Sequence, residues 1–181
     1  MGLENILELD KVITGRLKAS SQGHFFWKLG AFSAHSGDSW FWLAALGLVW
    51  LFVPGEWHRR AAILAVAIVI QAVLVLSIKF SIKRSRPPGE WGAIYRNTDP
   101  HSFPSGHATR AFMLAVMAWG LGPLWFGITV LIWAPLVSLA RVYVGVHYFS
   151  DVLAGAILGI LIGWGMLAAA PFMISIFPWI F

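Results

Sequence analysis

Hydrophobic residues along this chain come in long runs, separated by short polar stretches that carry Gly and Pro. From Ser39 to Gly55 no charge occurs, Pro54-Gly55 closes the run with a turn, and the apolar stretch extends backward through residues 29–34. Ala61 to Ile78 is eighteen residues long, with only Gln71 and Ser77 as polar interruptions. At about 1.5 Å of rise per residue, such a helix nearly matches the roughly 30 Å thickness of a bilayer's hydrocarbon. Residues 80–104 are polar, basic and proline-bearing, which predicts a loop outside the hydrocarbon. Residues 111–140 are uncharged for thirty positions, too many for one span, and Gly120-Leu121-Gly122-Pro123 divides them into two helices joined by a tight turn. Val152 to Ala170 is a further span, rich in small residues that let helices approach closely. Pro171 is expected to end it, with residues 172–181 returning to the interface.

The first twenty residues follow a different pattern. Leu3, Ile6, Leu7, Ile13 and Leu17 recur at helical spacing, while Glu4, Glu8, Lys11 and Lys18 take other faces. That pattern predicts an amphipathic helix lying on the membrane surface. Glu4, Glu8 and Asp10 stand where a signal peptide would carry positive charge, so a signal peptide is excluded. The expected architecture is an all-α, polytopic membrane bundle of about five transmembrane helices plus the N-terminal interfacial helix. It forms one domain over residues 1–181, with residues 1–28 as the interfacial region.

Composition agrees. The chain is 59% hydrophobic and 12% charged, with no cysteine and a mean hydropathy of +0.74, whereas soluble domains run about 45–50% apolar and about 25% charged. A soluble globule, a disordered segment, a disulfide-built module and a thiolate metal site are excluded. The tryptophans at 27, 40, 42, 57, 91 and 179 are read as interfacial anchors. Net charge is +5, but its distribution is uneven: residues 111–181 hold only Arg141 and Asp151, whereas residues 79–110 hold Lys79, Lys83, Arg84, Arg86, Arg96 and Arg110 against Glu90 and Asp99. A basic loop between apolar segments is either a cytoplasmic loop or a site for an anion. Nucleic acid is excluded as a partner, since no basic helix carries interleaved aromatics on a soluble face.

Alternation of the spans brings the segment ends near residues 79, 107, 141 and 151 to one membrane face, with residues 57–60 and 120–123 on the other. Charged groups at membrane depth cost about 2.5–3.5 kcal/mol each, so a chain that keeps Lys79, Arg86, His107, Arg141, His147 and Asp151 at one face has a use for them. Three cations suit a dianionic phosphate, the guanidinium forks matching its oxygens. Ser105 and Gly106 precede a helix whose first N–H groups lack intrahelical partners and favour an anion. His147 and Asp151, four apart, share a helix face. The carboxylate can hold one imidazole nitrogen protonated and leave the other to attack. His107 is then the candidate acid that protonates a leaving oxygen.

Lys79-x6-Arg86-Pro87, then Pro104-Ser105-Gly106-His107, then Arg141-x5-His147-x3-Asp151 resembles the three-part signature of the type 2 phosphatidic acid phosphatase family, with the core over residues 61–165. The resemblance implies a helical membrane core, a site facing the extracytoplasmic side of the cell membrane, no metal and no cofactor. It implies that His147 attacks phosphorus to form a phosphohistidine, Asp151 orients it, and His107 donates a proton to the departing lipid oxygen. It also implies that Lys79, Arg86, Ser105, Gly106 and Arg141 cradle the phosphoryl oxygens. Substrates of that class include phosphatidate, phosphatidylglycerol phosphate, undecaprenyl diphosphate and a lipid A phosphate. The small size of this chain favours a small headgroup or a polyprenyl diphosphate.

One position departs from the family pattern. Ala140 stands where the third motif usually has Ser, which is expected to remove one donor to the phosphate. A non-catalytic lipid-phosphate binding or transport protein on the same fold is the alternative that this departure suggests. A vanadate-dependent haloperoxidase shares the site pattern but would be soluble. Elsewhere, Ser36-Gly37-Asp38 is expected to cap a helix, and Tyr95, Arg96, Asp99 and His101 to lie in a solvated loop. His24, His35 and His58 lack metal-ligand spacing, and no metal is assigned.

Overall fold

A computed structural model of the chain describes residues 3–19, 24–88 and 99–181. Among the described residues seven helices run in order: α1 Leu3–Leu17, α2 Phe25–His35, α3 Ser39–Phe52, α4 Glu56–Ile82, α5 Gly106–Leu121, α6 Leu124–Tyr143 and α7 Phe149–Ile176. Among the described residues there is no strand, only a bridge pairing Ser85 with His101. The five predicted segments are all helical. Three of them, α4, α6 and α7, are long and apolar enough to cross a membrane. The 14-residue α3 and 16-residue α5 are shorter, about 21 and 24 Å at the helical rise. On α5, Ala111, Met113, Leu114, Met117 and Ala118 are buried where it packs against α4, α6 and α7.

The bundle core joins Ile63, Leu64 and Ile68 of α4 to Met113, Leu114 and Met117 of α5, Val130, Ala134 and Val137 of α6, and Met166 of α7. The outward faces are equally apolar, with Val73 of α4, Leu131 of α6, and Ile157, Leu161 and Trp164 of α7 exposed. A helix that is hydrophobic all round needs an apolar solvent, and the bilayer supplies it. Pro171 does not end α7, which continues to Ile176. A proline removes one N–H and leaves one carbonyl free, a loss that membrane helices absorb. After α7 the chain turns, and the Ile180 carbonyl accepts from the Trp50 indole at 2.8 Å.

The contact of α5 with α7 rests on Gly155, Gly159 and Gly163, which repeat every four residues on one face. A Cβ at Gly159 would collide with the Thr109 carbonyl oxygen, and one at Gly155 would lie 2.7 Å from the Ser105 carbonyl. Backbone cannot step aside as a flexible side chain can. Gly159→Ala is expected to destabilise the protein by about 1–3 kcal/mol and to lower its unfolding midpoint in detergent. Gly165→Ala, where nothing lies within 4 Å of an added Cβ, is the control; equal midpoints would refute this packing.

On α1 the buried positions are polar. Its inward residues are Asp10 and Thr14, whereas Leu7, Leu9, Val12 and Leu17 are exposed. The helix docks by polar groups: Asp10 Oδ1 accepts from the Ser150 N–H at 3.0 Å and Thr14 Oγ1 from the Phe149 N–H at 3.0 Å. These are N–H groups of the first turn of α7, which have no intrahelical acceptor.

Candidate active site

Lys79 lies in the last turn of α4, Gly106 and His107 open α5, Arg141 lies in the last turn of α6, His147 sits in the turn before α7, and Asp151 is in the first turn of α7. Gly145, at φ +80°, allows the tight α6–α7 turn. Lys79, Gly106, His107, Arg141 and His147 line one cavity of about 200 Å³, together with Asp99, Arg110 and Gln71. The structure thus brings together the ends of the spans that alternation placed on one face.

His147 is 1% exposed, with Nδ1 turned to Asp151 Oδ2 at 3.5 Å and Nε2 3.3 Å from Arg86 Nη1. Nε2 is therefore the atom that faces the cations, the position a nucleophile toward phosphate requires. Asp151 is fully buried behind it, accepting from the Tyr148 N–H at 2.9 Å and from Arg84 Nη1 at 2.7 Å. Burial first, then the Arg86, Arg141 and Lys79 charges, hold the His147 imidazole well below its usual 6.5. An imidazole with a depressed value stays neutral, with its lone pair available, at pH values where a free one is charged. The low-pH limb of kcat/KM that belongs to the nucleophile is accordingly expected below 6.5.

Of the predicted phosphate ligands, Lys79, Arg86 and Arg141 are all buried at the site. The Asp99 carboxylate bridges two of them, with Oδ2 2.5 Å from Lys79 Nζ and 2.8 Å from Arg86 Nη2. Lys79 also donates to the His101 carbonyl at 2.9 Å. Asp99 and His101 therefore belong to the site and not to a solvated loop, while Tyr95 and Arg96 lie outside the described residues. A phosphoryl oxygen binding Lys79 and Arg86 would take the place that this carboxylate holds. Gly106 lines the cavity, and Ser105 before it is fully buried as the N-cap of α5, its hydroxyl accepting from the Ala108 N–H at 3.5 Å. Ala140 faces away, packed with Ala31 and Ala34 of α2. The missing hydroxyl there removes no donor from this cavity, contrary to the sequence expectation.

His107 has a partner that the sequence reading assigned otherwise. Asp38 stands at the N-cap of α3, yet its side chain caps nothing. Oδ1 lies 2.7 Å from His107 Nε2, and Oδ2 lies 3.1 Å from His35 Nδ1. Burial opposes its charge, but the hydrogen bonds of His107 and His35 outweigh that and hold the carboxyl well below the usual carboxylate range. Arg110 locks the same turn, donating from Nε to the Gly37 carbonyl at 2.8 Å and from Nη1 to Ser39 Oγ at 2.5 Å. With Nε2 held by Asp38, Nδ1 of His107 is the nitrogen left to deliver a proton. Asp38→Asn removes the negative charge that favours the imidazolium. The high-pH limb of kcat is then expected to move down by about one pH unit or more. An unchanged limb in a pH–rate profile would show that Asp38 serves structure alone.

Arg84 also proved to be a site residue. Its Nη1 holds Asp151, its Nη2 holds Asp10 of α1 at 2.6 Å, and its guanidinium lies 4.2 Å from the Tyr148 ring centre. In the sequence this residue was one more basic loop position, because its two carboxylate partners lie 74 and 67 residues away.

Comparison with known proteins agrees with this architecture. The sequence profile described as PAP2 superfamily matches residues 60–174. The chain is 34% identical over 166 residues to an undecaprenyl-diphosphatase of Sulfolobus acidocaldarius, covering 87% of this chain and 76% of that one. It superposes on LpxE of Aquifex aeolicus with a TM-score of 0.66 and 25% identity, over 90% of this chain and 94% of the other. It superposes on a transmembrane PAP2 type phosphatidylglycerolphosphate phosphatase of Bacillus subtilis with a TM-score of 0.72 and 23% identity, over 91% and 85%. With its three motifs gathered at one end of a membrane-spanning helical bundle, this chain belongs to the PAP2 superfamily.

Proposed function

We propose that this protein hydrolyses a phosphate monoester or diphosphate of a membrane lipid through a phosphohistidine on His147, without metal or cofactor. The observation that carries this reading is His147 itself: Nε2 faces the Lys79, Arg86 and Arg141 cations while Nδ1 is backed by Asp151, with His107 lining the same cavity. In the first step the Nε2 lone pair forms a bond to phosphorus. The phosphorus–oxygen bond to the lipid breaks, and that oxygen takes the proton of His107. In the second step water attacks phosphorus, its proton passes to His107, and the phosphorus–nitrogen electron pair returns to Nε2. Arginines and lysine suit the dianion in both steps, since they neutralise its oxygens without needing a proton transfer.

The substrate class is a lipid with a small headgroup or a polyprenyl diphosphate, in line with the similarity to an undecaprenyl-diphosphatase. The active site lies on the extracytoplasmic face of the cell membrane. Because Ala140 lies outside the cavity, it offers no support for a non-catalytic binding or transport protein. The test is phosphate release by purified protein in detergent, with chelator present, from phosphatidate, phosphatidylglycerol phosphate, undecaprenyl diphosphate and a lipid A phosphate. Substrate labelled in its phosphate should leave a protein adduct that is stable to alkali and lost in acid, as a phosphorus–nitrogen bond is. Turnover that requires added metal, or leaves no such adduct on acid-free quenching, would overturn the mechanism.

A further inference from the structure

Gln71 interrupts the most hydrophobic span of the chain, and the mechanism so far gives it no role. It is 1% exposed and lines the cavity that holds His107 and His147. Polar groups at membrane depth are costly and often serve to join helices. The amide nitrogen does join helices: Nε2 donates to the Gly106 carbonyl at 3.5 Å. That bond also fixes the orientation of the amide, because a flipped Gln71 would set oxygen against oxygen. Oε1 accepts from no protein group among the described residues. This buried, unpartnered acceptor belongs to a residue lining a cavity whose other polar lining is largely cationic; an incoming phosphate there needs donors, and this atom would repel it. What Oε1 fits is an O–H.

Its level in the bundle says which O–H. Gln71 stands two turns before Lys79 on α4, about 12 Å along the axis, and Val75 between them lies against Gly106. Gln71 is therefore on the membrane side of the cation cradle. The lipid chain of a bound substrate must leave the cradle on that side, and with it the oxygen that departs opposite His147. After departure, water enters the place that oxygen vacates, next to His107. One of its protons goes to His107; the second points to whatever acceptor lies nearby.

We propose that Gln71 is a catalytic residue of the second step, whose Oε1 accepts one proton of the attacking water while His107 takes the other. This rests on the phosphohistidine mechanism above. Atoms balance as already written: the oxygen–phosphorus bond forms, the phosphorus–nitrogen bond breaks, one water proton is transferred to His107, and the proton held by Gln71 stays on the product phosphate.

Water offers two protons and methanol only one, so a residue that holds the second proton favours water over methanol. Gln71→Met keeps the length of the side chain and removes the acceptor. In rapid-quench experiments the burst of lipid product should stay within about threefold of the parent rate, while breakdown of the phosphohistidine slows by about 10- to 100-fold and the trapped adduct rises. In aqueous methanol the ratio of methyl phosphate to phosphate should rise severalfold, a ratio that loss of folded protein does not move. An unchanged ratio with both steps slowed together would overturn the proposal and leave Gln71 as a helix-joining residue. A parent enzyme that forms neither adduct nor methyl phosphate would instead overturn the double displacement, and this role with it.

Discussion

Replacing His147 by alanine is expected to lower kcat by at least about 10⁴-fold and to abolish the acid-labile phosphate adduct, whichever lipid is used. Removing the nucleophile of a catalytic set typically costs this much, because the remaining groups act only through the bond it forms. The substitution leaves the cradle in place, since Lys79, Arg86 and Arg141 come from α4, the loop after it and α6. Binding of orthovanadate or phosphate should therefore persist within about tenfold, and that persistence separates lost chemistry from lost fold. If His147→Ala kept turnover above about one per cent, His147 would be a ligand and another group the nucleophile.

Asp151→Asn is expected to cost kcat about 10⁴-fold, the magnitude seen when the orienting aspartate of a Ser-His-Asp triad is changed in the same way. The reason can be followed atom by atom. Oδ1 accepts from Arg84 and Oδ2 from the Tyr148 N–H, with His147 Nδ1 beyond at 3.5 Å. In the variant, the Arg84 guanidinium and the Tyr148 N–H, both donors, compete for the one remaining oxygen, and the charged guanidinium takes it. The new amide then points its N–H bonds at His147. Nδ1 must become an acceptor, the proton moves to Nε2, and the lone pair that should attack phosphorus is gone. The phosphohistidine should form too slowly to accumulate, with KM changed little. A loss smaller than tenfold would mean that Asp151 serves the Arg84–Asp10 ion pairs and not the tautomer of His147.

Much of this protein was legible because its signals are local. Uncharged runs between Gly- and Pro-bearing turns specify where helices lie, since an apolar run in lipid has only helical hydrogen bonding open to it. The spacing His147-x3-Asp151 and the placement of Ser105-Gly106 before an apolar run say which groups share a face and which end a helix. Other features depended on distant partners. Asp38 looked like a helix cap because nothing nearby reveals that His107, 69 residues on, would claim it. Arg84 and Asp99 were indistinguishable from other loop charges, and the pairing of Asp10 with Arg84 and Ser150 spans nearly the whole chain.

The sequence by itself determined the class of the molecule: an all-helical membrane protein with Lys79, Arg86, His107, Arg141, His147 and Asp151 at the helix ends of one face. These follow from hydropathy, helical period and residue chemistry, which act over a few residues at a time. Only the tertiary structure decided which polar groups gather at the cavity and which brace the scaffold. It packed Ala140 against α2, buried Ser105 as a helix cap, gave His107 its carboxylate, set Asp99 on the cations, and left Gln71 Oε1 buried without a partner. The physical reason is that a hydrogen bond is satisfied by whatever packing brings within about 3 Å, and in a helical bundle that neighbour comes from another helix.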